Sequence, residues 1–194
     1  MNKLPSSIPL FPLGGAVLFP SGNLPLNIFE PRYIAMVDYA LKNDKLIGMV
    51  QTKEKNSNEL YRIGCIGKIT SFSKTNDKRY LINLNGISRF TLLNELNNLN
   101  GFRMFNVKYE KFDYNSIKFN KKLFIKKVKF YFKNKQLTAD WESLENIKDI
   151  SLIIMICMVC PFSINEKQML LESKNINSLV ENAISLFEFT INAN

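Results

Sequence analysis

The pair Cys157-Met-Val-Cys160 has the spacing of a redox dithiol or of one half of a zinc site. A zinc site needs two further ligands, and the remaining cysteine, Cys65, lies far upstream. The chain contains no histidine. That removes the commonest metal ligand, the commonest general base and every Ser-His-Asp or Cys-His arrangement. The pair also falls inside the apolar run Ile150 to Cys160, which favours core cysteines, since free Cys is among the most buried residue types. Three cysteines are too few for a disulfide framework and point to a reducing compartment.

Carboxylates are the other source of acid–base chemistry. Glu142 and Glu145 sit near one expected helix start and Glu166 near another, where capping and the helix dipole account for them. No GxxxxGK[ST] phosphate loop, facing carboxylate pair or activated serine is present. The expectation is a protein that is not an enzyme and holds no metal or cofactor.

Basic residues are the remaining candidate. The formal net charge is +9, but eight lysines and no acid fall between Tyr114 and Ala139. Outside that segment 18 basic residues meet 17 acidic ones, so the charge is local. With 21 Lys against five Arg, the balance is poor for base-specific recognition, which favours the forked guanidinium. On a helical wheel Lys122, Lys126, Lys129 and Lys133 fall together, opposite Phe124, Val128, Tyr131 and Phe132. This stripe is either the solvated side of an amphipathic helix or a surface for RNA or another anion.

Elements must position these groups. Up to about Asp113 the texture is strand-like, with apolar runs broken by Pro, Gly and Asn: Ile8 to Phe11, Ala16 to Phe19, Leu24 to Phe29, Leu46 to Gln51, Ile63 to Phe72, Tyr80 to Asn85, Ile87 to Leu93 and Phe102 to Tyr109. Ser73 to Lys78 reads as a hairpin turn in which Asn76 and Asp77 tolerate the left-handed backbone. One helix should open at Pro31, which has no N–H to lose there, and bury Ile34, Val37 and Leu41. Beyond Asp113 the spacing is helical, with the lysine helix over 118–135, an apolar helix ended by Pro161, and capping boxes at Ser163-x-x-Glu166 and Ser178-x-x-Glu181. The fold class expected is α+β: a mostly antiparallel β-rich subdomain with one helix over residues 1–113, then a bundle of about four helices over 114–194. Pro5, Pro9 and Pro12 interrupt any secretion-signal helix, and the nine-residue apolar run Leu152 to Cys160 is short of the about 20 residues a membrane span needs. A cytoplasmic location with no membrane partner is expected.

Several separated blocks then occur in a recognisable order: Ile8-Pro-Leu-Phe-Pro-Leu13, Val17-Leu-Phe-Pro20, Leu24-Pro-Leu-Asn-Ile-Phe-Glu-Pro-Arg-Tyr33 with Met36, Gly64-Cys-Ile-Gly-Lys-Ile69, and Arg79-Tyr-Leu-Ile-Asn-Leu-Asn-Gly86 running into Ile87-Ser-Arg-Phe90. Together they resemble the N-terminal substrate-recognition domain of Lon-type ATP-dependent proteases. Asp140-Trp-Glu-Ser-Leu-Glu145, Cys160-Pro-Phe162 and Glu166-Lys-Gln-Met-Leu-Leu-Glu172 resemble the stand-alone bacterial branch of that family. The resemblance implies a PUA-like β-subdomain followed by helices, and a role in holding substrates without the ATPase or peptidase. It implies as partners unfolded or client protein segments, or a protease or chaperone subunit in trans; an RNA-binding or ribosome-associated role on the lysine helix is the alternative. For Phe29, Glu30, Pro31, Arg32 and Tyr33, with Gly86, Arg89 and Phe90, two readings stand. In one, Pro31 starts the helix, Phe29 and Tyr33 pack beneath it, and Glu30 or Arg32 closes an ion pair, with Arg89 as a partner for the acid. In the other, these residues rim a groove for an unfolded segment.

Overall fold

A computed structural model describes residues 4–54, 57–97, 101–115 and 117–192. The outer ends of the two expected subdomains, residues 1–3 and 193–194, lie outside the described residues. Strands and helices follow in the order β1 (Ser7–Pro12), β2 (Asn23–Ile28), α1 (Pro31–Lys42), β3 (Leu46–Val50), β4 (Ile63–Lys74), β5 (Tyr80–Leu96), β6 (Arg103–Glu110), α2 (Lys121–Asn134), α3 (Trp141–Glu145), α4 (Asp149–Val159), α5 (Ile164–Leu171) and α6 (Ile176–Asn192). The architecture is α+β, as expected.

The strand order β2-β5-β4-β3-β1-β6, with β5 also paired to β6, closes five strands into a barrel and leaves β2 attached by one edge. Closure depends on β5. Its first half pairs with β2, its second half with β6, and the stretch from Tyr80 to Thr91 with β4. Tyr80 to Asn85 and Ile87 to Leu93, two runs in the sequence, are therefore one strand that bends at Gly86. Among the six pairs of named strands only β1 with β3 is parallel, which requires the crossover that α1 supplies. Ala16 to Phe19, expected as a strand, is instead an irregular connection. Its side chains are still buried, with Phe19 packed into the helical core, so hydrophobicity there serves an interface and not a pleat.

Alternation along the strands explains two of the three cores. Ile8, Leu10, Leu46, Val50, Ile66, Phe90, Leu92, Phe105 and Val107 fill the barrel interior. Phe11, Ile47, Met49, Cys65 and Ile69 point the other way and pack against Tyr33, Met36, Val37 and Ala40 of α1. β3 is buried on both faces and so reads as a continuous apolar run. The buried face of α1 is one residue ahead of the expected Ile34-Val37-Leu41 stripe, because Tyr33 and Met36 are the long side chains that reach the sheet. The third core joins α2, α4, α5 and α6 around Phe124, Tyr131, Phe162 and Phe187, whose rings stack edge-on or tilted at 5.3–5.8 Å.

Local signals held with two shifts. The hairpin turn forms, but the left-handed residue is Lys78, at φ 66°, while Thr75 and not Asn76 ties the turn by bonding Arg79. Ser163 and Glu166 make the expected capping box. The last helix starts earlier than expected: Asn175 caps it through Ser178 N–H, and Ser178 Oγ accepts from Asn175 N–H in return, so Ser178 occupies the place of Glu in the box.

Candidate functional site

A cleft of about 390 Å³ opens where β2 leaves the barrel. One wall is the end of β2 and the turn into α1, Leu26 to Glu30; the other is the end of β1 and the following residues, Phe11 to Gly14. The β3–β4 connection with Thr52 and Asn58, and the start of β6 with Phe102 and Arg103, close its ends.

Pro31 sets this geometry. Its fixed φ starts α1 at once after the extended Glu30 (ψ 134°), so the chain turns sharply. Tyr33 then drops inward, 8% exposed, and meets Phe11 edge-on at 4.5 Å. Burial raises the Tyr33 pKa, keeping the hydroxyl neutral. Arg32 lies 4.5 Å from the Tyr33 ring and binds Glu30 at 2.9 Å. Phe29 stands on the rim at 63% exposure. It does not pack beneath α1 as the structural reading supposed, because the turn at Pro31 carries it outward.

Across the cleft Arg103 makes a two-pronged bond to Glu95, both contacts at 2.7 Å, and lies over Phe105. The bond from Arg103 holds the Glu95 carboxyl below its ordinary pKa and raises that of the guanidinium. Thr52 is 6% exposed; its Oγ1 has no hydrogen-bond partner among the described residues and is shielded from the cleft, lying against Gly14. The cleft thus has apolar walls and two self-neutralised ion pairs at its mouth.

The other motif residues are elsewhere. Gly86 backs onto Phe19, whose carbonyl occupies the space of any Cβ, and bonds Ser21 and Gly22 through its backbone. Phe90 fills the barrel interior. Arg89, 6% exposed, does not pair with Glu30. Its Nη1 donates to the carbonyls of Leu171 (2.9 Å) and Ser173 (2.6 Å) at the end of α5, and its guanidinium lies 4.8 Å from the Phe112 ring. The motif therefore divides into a cleft rim (Phe29, Glu30, Arg32, Tyr33) and a set that joins the barrel to the helices. Thr52, Glu95 and Arg103 had no signal of this kind in the sequence, beyond Arg103 being one of only five arginines.

The lysine stripe forms on α2, whose regular span is Lys121–Asn134. Lys129 binds Glu145 at 3.1 Å and lies over Trp141, and the adjacent Lys121 and Lys127 pair with Asp149 and Glu188. Lys122, Lys126 and Lys133 are exposed and have no acidic partner among the described residues. A shallow depression of about 560 Å³ runs along Lys121, Lys122, Ile125, Lys126 and Lys129.

Cys157 and Cys160 are fully buried free thiols. Burial raises the pKa of both, that of Cys160 to about 12, which suppresses thiolate chemistry. Among the described residues no group of three or more His, Cys, Asp and Glu is placed to hold a metal. No helix of the described residues is long and apolar enough to cross a membrane.

Comparison with known proteins places this geometry. The family model of the ATP-dependent protease La (LON) substrate-binding domain matches residues 7–188. The Lon N-terminal domain protein of Xanthomonas campestris superposes with a TM-score of 0.65 at 20% identity, covering 92% of this chain and 97% of that one. The N-terminal domain of the Mycobacterium avium complex Lon protease gives 0.66 at 12% identity, covering 94% and 98%; both likenesses carry the fold. The Lon protease of Buchnera aphidicola subsp. Baizongia pistaciae is 28% identical over 198 residues, 95% of this chain and 25% of that protein. That of Anaeromyxobacter dehalogenans is 28% identical over 100 residues, 12% of its length. The chain spans a quarter or less of these curated relatives.

Proposed function

The chain belongs to the family of ATP-dependent protease La (LON) substrate-binding domains, and from that premise we propose that it is a non-catalytic protein-binding domain whose β2–α1 cleft holds exposed segments of client proteins. The observation that carries this reading is the cleft itself. Four residues of the family-like motif line it, and Phe29 stands exposed on its rim where a structural role would have buried it. An exposed aromatic beside an apolar slot is the kind of anchor that dominates binding energy in protein interfaces. In this reading residues 1–113 form the client-facing, PUA-like subdomain and 114–194 the helical subdomain that braces it. The end of the strands at Glu110 and the start of α2 at Lys121 support that division.

The test is fluorescence anisotropy with a permanently unfolded client, reduced and carboxymethylated α-lactalbumin. Binding is expected, and Phe29→Ser should weaken it by about tenfold, the loss of roughly 1.4 kcal/mol of apolar contact. No binding, or binding untouched by Phe29→Ser, sinks the reading.

One observation favours a second reading, an RNA-binding accessory role. Lys122, Lys126 and Lys133 have no acidic partner among the described residues, and the first two line an open depression on that helix face. Reversing these three to Glu should then abolish RNA retention and its steep salt dependence. Retention that survives the reversal removes this reading.

A further inference from the structure

β2 pairs with β5 and with no other strand among the described residues, so one backbone edge of it is open. Which groups line that edge follows from the ladder. Gly86 N–H donates to the Gly22 carbonyl at 2.8 Å, and the register continues through Leu24↔Leu84, Leu26↔Ile82 and Ile28↔Tyr80. Backbone bonding alternates along an antiparallel strand, so the even-numbered residues turn their groups to β5 and Asn23, Pro25 and Asn27 turn theirs outward. Pro25 agrees with this, since a residue without N–H is tolerated where no ladder bond is needed. The open edge near the cleft therefore offers the Pro25 carbonyl and both the N–H and C=O of Asn27, and Asn27 itself lines the cleft.

Two features define what fits there. The edge calls for another strand, because its groups are complementary to an extended backbone. Arg32 and Arg103 at the mouth are already bound to Glu30 and Glu95, so no free charge awaits a charged residue.

We propose that client segments bind by strand addition: an extended, uncharged segment pairs with the open edge of β2 at Pro25 and Asn27 and inserts an aromatic or aliphatic side chain between Phe11 and Phe29. This mode rests on the cleft being the client site. Because Pro25 supplies no donor, the pairing is short, and the cleft selects segments by extended conformation and absence of charge instead of by sequence.

The probe is a short capped peptide alternating Thr with Val and Phe, titrated against the full chain by anisotropy, with two backbone-N-methylated versions. One is methylated at the odd positions and one at the even positions. In an added strand alternate N–H groups face the host edge, so one methylated series should lose about tenfold or more in affinity and the other should bind like the parent. Equal affinity of both series overturns strand addition while leaving the cleft as the client site. No binding of the parent peptide overturns both. On the protein side, Asn27→Pro removes the one outward donor beside the cleft without touching the β5 ladder and should weaken the parent peptide about tenfold, with the thermal unfolding midpoint retained. Peptide affinity unchanged in Asn27→Pro is inconsistent with the proposed pairing.

Discussion

Replacing Arg89 by Met tests how the barrel is held to the helices. Met keeps the packing of the stem but removes the guanidinium, which donates to the Leu171 and Ser173 carbonyls at 2.9 and 2.6 Å. Leu171 is the last residue of α5, so its carbonyl is one of those a helix leaves without an internal partner, and a cation there also meets the negative end of the helix dipole. Two hydrogen bonds to a charged donor contribute about 1.5–3 kcal/mol each, and the stack on Phe112 about 0.5–2 kcal/mol. Against this stands the cost of burying the charge, which lowers the pKa of Arg89 by desolvation and leaves its Nε without a partner among the described residues. The balance is a loss of about 2–4 kcal/mol. For a chain of this size that lowers the unfolding midpoint by roughly 5–15 °C. Urea denaturation and calorimetry of the parent, Arg89→Met and Arg89→Lys measure it. Lys should recover less than half, because a single ammonium cannot reproduce the planar fork and the stack together. A loss under about 0.5 kcal/mol for Met, or a Lys variant as stable as the parent, would refute the bracing role.

Gly86→Ala should be among the most damaging small substitutions, costing about 3 kcal/mol or more, since the new methyl would meet the Phe19 backbone carbonyl and not a movable side chain; a midpoint within a few degrees of the parent would show that the connection gives way. Acid should expose the Glu95–Arg103 pair. The bond from Arg103 depresses the folded-state pKa of Glu95 below its ordinary 4.5, so the pair adds stability above that value and loses it as pH falls through the lower one. Midpoints followed from about pH 6 to pH 3 should show Arg103→Gln below the parent at the upper end and converging with it at the lower end, and parallel curves would contradict this. All three thiols are buried with raised pKa values, so Ellman's reagent at about pH 8 should label none of them in the native chain and all of them in denaturant; rapid native labelling of Cys157 or Cys160 would remove them from the core.

What the sequence determined by itself was local. Pro31 opens α1 because a fixed φ and a missing N–H suit only that position; Ser163 and Glu166 cap α5 because they can bond each other's backbone; Lys122, Lys126, Lys129 and Lys133 share a face because 3.6 residues make a turn. The absence of histidine likewise narrowed the chemistry before any fold was known. Tertiary structure decided everything that depends on who arrives from afar. Arg89 and Glu30 were equally good partners as charges, yet the first is turned inward on β5 to meet α5 and the second stays at the cleft beside Arg32. Tyr80 to Asn85 and Ile87 to Leu93 became one strand because three other strands needed β5 as a common wall. Phe29 looked like a core residue by type, and only the turn at Pro31, together with the closure of the barrel beside β2, left it standing over an open edge. Hydrophobicity and charge state what a side chain gains from burial or pairing, but long-range pairing chooses which of the equivalent residues obtains it.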